Sequence, residues 1–279
     1  NMLLGLAAGK IGDLVFYRDG GEQRTRTRVI PKNPRSIAQQ TQRSKIANVS
    51  AIYRLFASVL KDSFVNRPSN QSGFNAFAQT AIAMSPYQMR EQAAQDCVLP
   101  MPAPVSKGTL PTPPSSVLAR IDGAYVGFRL GTEITPETTA AVVSQTLLSL
   151  IPTLQEGDIL TFIGAEFTGV STSDAGVTTY SAQPTIATFV IDSSNSATIG
   201  SLGFGITGAA FTAEGLVDYG EDDIAMSAVI ISRVEGDGRL NVTNANFRLT
   251  DPAIELYNSY RTAEAAADAA ESYLGSKTS

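Results

Sequence analysis

The first clear pattern along the chain is a pair of β-prone runs near the N-terminus. Residues 14–18 (LVFYR) and 23–30 (QRTRTRVI) flank the polar segment DGGE at 19–22. A Gly-Gly turn between two β-prone runs is typical of a hairpin. In the second run, Arg24, Arg26 and Arg28 alternate with threonines, so period-2 geometry places the three arginines on one face. The pattern therefore predicts an N-terminal hairpin with a basic face.

Helical spacing replaces this alternation after the hairpin. Apolar residues recur every three to four positions, at Ile46, Val49, Tyr53, Phe56 and Leu60. This spacing predicts an amphipathic helix from about residue 37 to 65. Two shorter helices are expected over about 74–83 and 87–95. Together with the hairpin they define a predicted N-terminal domain, residues 1–98.

Prolines interrupt the chain at residues 99–116, where six of them occur at positions 100, 102, 104, 111, 113 and 114. Proline fixes φ and cannot donate to a strand ladder, so the segment cannot form a helix or a central strand. We therefore expect an extended linker between two separately folded modules.

Short apolar runs separated by turn residues dominate the rest of the chain. Strands are predicted over 117–121, 124–130, 159–163, 185–191, 228–232 and 240–243, with a helical patch near 136–150. This spacing favours a mainly antiparallel β-sandwich or barrel-like domain over 117–250. Asp251 and Pro252 then begin a predicted C-terminal helix, 251–279, with Asp251 as N-cap and Gly275 as C-cap. The predicted fold class is α+β.

Charge divides unevenly between the two predicted modules. Residues 1–98 contain 13 Lys/Arg and 6 Asp/Glu, a net charge of +7, whereas residues 99–279 contain 8 and 20, a net charge of −12. Two parts of opposite sign indicate either two different partners or a head-to-tail attraction between copies of the chain.

The composition argues against most enzyme classes. The chain has no histidine, the commonest general base and metal ligand, and no tryptophan. Its one cysteine, Cys97, is expected to be a small packed residue, and the acidic run at 221–223 is expected to be a solvated turn. We therefore predict no catalytic residues, no metal site, no cofactor and no small-molecule substrate. No apolar run approaches the roughly 20 residues of a membrane-spanning helix, so no membrane partner is expected.

A cluster of basic residues is the strongest candidate for a contact site. Seven cations lie within 22 residues, across the second strand, the following turn and the start of the long helix: Arg24, Arg26, Arg28, Lys32, Arg35, Arg43 and Lys45. They are candidates for phosphate contacts, which would be non-specific because no base-reading motif accompanies them. They are also candidates for contacts to acidic protein surfaces, which is the favoured interpretation, or for a solvated face.

The N-terminal residues resemble a known but uncharacterised protein family. The runs GKIGDLVFY at 9–17, RTR at 24–26 and NPRSIAQQTQRSK at 33–45 are similar, in order and spacing, to that family's N-terminal signature. The family is abundant in Bacteroidetes genomes and in associated phages and mobile elements. The resemblance covers about the first 80 residues and brings no site residues with it. It implies a phage-linked structural role.

These observations predict a non-enzymatic assembly protein. The leading hypothesis is a phage virion component of the capsid, portal vertex or tail, assembled in the bacterial cytoplasm, which contacts copies of itself and other virion proteins through its N-terminal domain. A second hypothesis is a nucleic-acid-binding or packaging protein that uses the basic cluster. A surface adhesin or binding module is a third hypothesis, and a hydrolase with paired carboxylates is a fourth.

Overall fold

The computed structural model describes residues 9–19, 22–30, 35–121, 125–171, 177–213, 219 and 222–274. The chain forms two compact units, Asn1–Ser36 and Ile37–Ser279. The division therefore falls between the basic hairpin and the long helix, and not at the proline-rich segment.

The first unit is a small antiparallel sheet. Its strands are β1 (Gly9–Ile11), β2 (Leu14–Asp19) and β3 (Glu22–Thr27), in the order β1-β2-β3. The β2–β3 pair is the predicted hairpin, with Asp19 paired to Glu22; the predicted turn residues Gly20 and Gly21 lie outside the described residues. The sequence prediction missed β1, which a Gly-Asp turn at Gly12 (φ 58°) joins to β2.

Helices form the N-terminal part of the second unit. They are α1 (Ile37–Leu55), α2 (Ala57–Leu60), α3 (Gly73–Ala81) and α4 (Arg90–Ala94). The single helix predicted over 37–65 is thus interrupted at Phe56, whose φ and ψ of −118° and 23° are not helical. Phe56 is completely buried and its ring packs at 5.3 Å from that of Phe247. We infer that tertiary packing of this ring outweighs the helical periodicity at the interruption.

The remaining strands form three sheets. A central sheet has the order β12 (Leu240–Val242), β11 (Ala225–Val234), β7 (Ile159–Ser171), β8 (Thr178–Val190), with β14 (Arg248–Leu249) also on β11. A second sheet has the order β5 (Leu118–Ile121), β6 (Tyr125–Arg129), β10 (Ala210–Thr212), β9 (Gly205–Thr207). The short strands β4 (Pro104–Ser106) and β13 (Ala245–Asn246) pair with each other. Helix α5 spans Ala140–Leu150.

The central sheet is buried on both faces. Along β11, Met226, Ala228 and Ile230 point into a core shared with the helices, whereas Val229 and Ile231 point into a core shared with the second sheet and α5. Burial on both faces explains why β11 is a nearly continuous apolar run and not an alternating one. The predicted α+β class is confirmed. Sheet packs on sheet as in a sandwich, and none of the described strands closes a barrel.

The proline-rich segment is extended, as predicted, but it is part of the core. Leu99, Met101, Ala103 and Val105 are buried, and the prolines occupy the alternate positions. Because Met101 and Val105 join the same core cluster as α1 and the central sheet, the segment binds the helices and strands into one unit. The prediction of separate domains over 1–98 and 117–250 did not take account of this period-2 alternation of apolar residues.

The predicted C-terminal helix consists of two helices, α6 (Asp251–Ser259) and α7 (Ala263–Leu274). Helix α6 is capped by Thr250, whose hydroxyl accepts a hydrogen bond from the Ala253 N–H, so Asp251 is a first-turn residue and not the predicted N-cap. The predicted C-cap, Gly275, lies outside the described residues. Alanines 269 and 270 are the buried residues of α7.

Candidate functional site

One face of the three-stranded sheet of the first unit carries three basic residues together with Glu22. The register pairs Tyr17 with Arg24, and Val15 with both Arg26 and Lys10. Directly paired residues lie on the same face of a sheet, so Lys10, Arg24 and Arg26 share one face. Arg26 lies over the Tyr17 ring at 5.6 Å, and Arg24 is 3.7 Å from Glu22. Lys10 is the member of this face that the sequence prediction missed.

The opposite face of the same sheet carries apolar side chains beside polar ones, among them Arg18. Here Leu14 pairs with Ile11 and Thr27, and Phe16 pairs with Thr25. Ile11 and Leu14 are 59% and 45% exposed, and Phe16 is half-buried. Beyond β3, Val29 and Ile30 are more than 70% exposed. None of the residues described between 9 and 30 is buried, so this sheet has no hydrophobic core of its own.

The structure distributes the seven predicted contact residues over both units. Arg24 and Arg26 lie together on β3, and Arg28 is exposed just beyond the strand, where its N–H donates to the Asp13 carbonyl at 2.6 Å. Arg35 is half-buried with a left-handed φ of 48°. Lys32 lies outside the described residues.

The other two predicted residues belong to the second unit, on α1. The Arg43 guanidinium donates to the Gln40 side-chain oxygen at 3.2 Å, and the Lys45 ammonium lies 4.9 Å from the centre of the Tyr87 ring. Both cations therefore have partners within this unit. Of the seven predicted residues, the structure brings Arg24 and Arg26 together on one face of the hairpin.

The residues considered for other chemistry have local structural roles. Cys97 is buried, and burial raises the pKa of its thiol. The Asp192 carboxylate accepts hydrogen bonds from the Ser194 hydroxyl and N–H, and these bonds lower its pKa. Asp222 is exposed, and Glu221 lies outside the described residues. The described part of the chain contains no cluster of three or more His, Cys, Asp or Glu side chains placed to hold a metal ion.

A polar groove of about 890 Å³ lies in the second unit. Its charged lining residues are Asp62, Arg67, Glu235, Asp237 and Arg239. Asp62 lies 3.8 Å from the Lys61 ammonium and Asp237 lies 3.4 Å from Arg239, whereas Glu235 accepts a hydrogen bond from Asn241. The acidic side chains of this groove thus form ion pairs or hydrogen bonds with neighbouring basic and amide side chains.

Among the described residues, no helix combines the length and apolar character needed to cross a bilayer. Comparisons of the chain with protein-family models, with curated proteins and with solved structures found no match in any of the three.

Proposed function

We propose that this protein is a non-enzymatic structural protein that works in many copies, as a component of a phage virion, through its N-terminal hairpin sheet. The observation that carries the proposal is the exposure of both faces of that sheet. A small sheet needs a covered hydrophobic face to be stable. Among the described residues, Ile11 and Leu14 are 59% and 45% exposed, which supports a hairpin sheet that gains its hydrophobic cover from another molecule.

Charge supports a protein partner that includes further copies of the chain. Residues 1–36 have a net charge of +4, from 7 Lys/Arg and 3 Asp/Glu, whereas residues 37–279 have a net charge of −9, from 14 and 23. Opposite potentials steer molecules together and favour one orientation. The resemblance of the first 80 residues to a phage-associated family supports the virion as the assembly.

Sedimentation velocity of the full chain over a wide concentration range tests this proposal. We expect assemblies that grow with concentration and weaken as NaCl is raised, because salt screens the charge attraction. The double variant Arg24→Gln/Arg26→Gln is expected to require about tenfold more protein to assemble. The matched control Lys61→Gln/Arg239→Gln removes the same charge from exposed sites of the second unit and is expected to assemble as the wild type does. A strict monomer at every concentration and salt level contradicts the proposal.

Nucleic-acid binding is the second candidate, because Lys10, Arg24 and Arg26 form an exposed basic face. Titration with DNA at several NaCl concentrations distinguishes this candidate. Phosphate contacts release counterions, so the affinity must fall steeply and linearly on a log–log plot, with a slope of about −0.9 per contact. Affinity that does not respond to salt, or no binding at low salt, excludes it.

A further inference from the structure

The strand β8 forms an edge of the central sheet and is unusually open for an edge. It is 13 residues long and contains no charged residue. Natural edge strands are commonly short, charged, bulged or covered, because an open edge pairs with other chains. Within β8, Pro184 is the one residue of a type that discourages pairing at an edge.

The backbone pattern shows which groups of β8 point away from the sheet. The Tyr180 N–H donates to the Cys97 sulfur at 3.2 Å, and the Tyr180 carbonyl accepts from the Val98 N–H at 2.9 Å, so Tyr180 faces outward. Backbone direction alternates along a strand, and the outward residues that follow are therefore Ala182, Pro184, Ile186, Thr188 and Val190. Pro184 fits this assignment because it has no N–H to give to the ladder.

These outward groups have no hydrogen-bond partner in the part of the chain that the structure describes. The Cys97 and Val98 contacts cover only the first residues of β8. Side chains add an apolar surface at the same edge, since Ile186 and Val190 are 40% and 48% exposed. The alternate residues Ala187 and Phe189 are buried against the second sheet. The open edge thus combines free backbone groups with exposed apolar side chains from 182 to 190.

A second open edge lies on the hairpin sheet. All six residues of β3 are exposed, and β3 is the last strand in its sheet. The Arg28 N–H bonds back to Asp13, so by the same alternation Gln23, Thr25 and Thr27 direct their backbone groups outward. Among the described residues, β3 in the first unit and the stretch 182–190 of β8 in the second unit are therefore both open strand edges.

We propose that β3 of one copy adds to β8 of a second copy and extends the central sheet from molecule to molecule. The inference rests on the proposed function and names its partner surface. The free stretch 182–190 spans about 30 Å, enough for the roughly 20 Å of β3. Main-chain hydrogen bonds supply the affinity in such strand addition. The hairpin unit is positively charged, and the unit that carries β8 is negatively charged and has no cation on that strand.

A second copy is the occupant that this arrangement favours. The donor edge, β3, and the acceptor edge, β8, are different surfaces of the same chain. Each copy can therefore add its β3 to one neighbour and accept the β3 of another neighbour on its β8. Such a heterologous contact generates rings when it closes and filaments when it does not. This outcome agrees with a protein that works in many copies.

Amide hydrogen exchange of the full chain, measured at low and high protein concentration, detects the contact between β3 and β8 directly. On association we expect the amides of Ile186, Thr188 and Val190 and those of Thr25 and Thr27 to exchange about tenfold more slowly or slower still. Protection that is already present in the monomer and does not change with concentration means that the edges pair within one chain, and it overturns the inference. So does association that leaves these five amides unprotected.

Substitutions at Thr188 give an independent test by charge. Thr188→Lys places a cation where the arginines of β3 arrive, and we expect assembly to need at least about tenfold more protein. Thr188→Glu places a long charged side chain at the same position but with the opposite charge. We expect this variant to assemble at least as well as the wild type. Circular dichroism of both monomers checks that the fold is unchanged. Equal assembly by both variants contradicts the inference.

The two proposals fail in different ways. If the wild type assembles but Thr188→Lys assembles equally well, the edge contact is wrong and the multi-copy function stands. If the wild type remains a monomer at all concentrations, both are wrong. If added DNA, and not a second copy, produces protection at β3 while β8 stays unprotected, the hairpin edge serves nucleic acid and the inference fails.

Discussion

Asp158 and Arg233 form a two-pronged ion pair at one end of the central sheet. The Arg233 Nε and Nη2 atoms each donate to a different oxygen of the Asp158 carboxylate, both at 2.7 Å. Asp158 is completely buried and also accepts from the Gln155 N–H at 2.8 Å. The hydrogen-bonded carboxylate raises the pKa of Arg233. The pair joins the start of β7 to the end of β11.

Removal of the Asp158 carboxylate should strongly destabilise the fold. We expect Asp158→Ala to lower the free energy of unfolding by about 3–5 kcal/mol, because it leaves a poorly solvated guanidinium unpaired. Urea unfolding followed by circular dichroism measures the change. The control is Arg54→Ala, which removes an exposed pair with Asp96 and should cost less than about 1 kcal/mol. Equal losses for the two variants would contradict the role of Asp158.

Asn48 should be essential for the attachment of α1 to the proline-rich segment. Its buried side chain donates to the Leu99 carbonyl at 3.0 Å and accepts from the Leu99 N–H at 2.8 Å. Asn48→Ala leaves both backbone groups unsatisfied, and we expect a loss of roughly 2–4 kcal/mol in the free energy of unfolding. Gln79→Ala, which removes an exposed amide pair with Gln71, is the control and should change little. A neutral Asn48→Ala would show that water replaces these bonds.

Phe56 tests whether the helices and the strands are one folding unit. It packs on Phe247 within the core that α1 shares with the central sheet. We expect Phe56→Ala to cost about 3–5 kcal/mol and to shift helix and sheet unfolding together. Coincident transitions in far-UV circular dichroism and tyrosine fluorescence are the expected result for residues 37–274. Separate transitions, with only the helical signal moved, would favour two independent modules.

Alkaline pH should destabilise the protein through Cys97. Burial raises the pKa of its thiol, so the folded chain retains a proton that the unfolded chain releases above about pH 8.5. The stability contributed by this thiol is therefore complete below that pH and declines as the pH rises beyond it. Burial also raises the pKa of Tyr260, which adds a decline of the same sign above about pH 10.

Urea unfolding at a series of pH values from 7 to 10 measures this dependence. Cys97→Ala is the comparison, since it removes the titrating thiol. We expect the variant to be less stable overall, because the Tyr180 N–H loses the sulfur acceptor, but to show a flatter decline between about pH 8 and 9.5. The same slope in both proteins would exclude the thiol as the cause.

Local patterns were sufficient to predict several elements of the fold. The alternation of arginine and threonine with a Gly-Gly turn predicts the β2–β3 hairpin and its basic face, and the helical spacing predicts most of α1. The apolar runs predict the positions of β7, β8 and β11, although not their full lengths. These predictions succeed because hydrogen bonding in a hairpin or helix, and side-chain periodicity, depend on neighbours in the sequence.

Long-range contacts decided the rest. Leu99, Met101, Ala103 and Val105 become core residues only because α1 and the central sheet close around them. Phe56, at which the predicted helix is interrupted, packs against Phe247, 191 positions away.

The features of the candidate site likewise divide into those that local sequence patterns predict and those that long-range contacts decide. The alternation in the sequence determined that Arg24 and Arg26 share a face, because strand period is a local property. That Lys10 joins them and that β8 lies at an edge of the central sheet were decided by strand order. Strand order depends on which distant segments bury each other's apolar surface, and composition and spacing along one chain do not specify that choice.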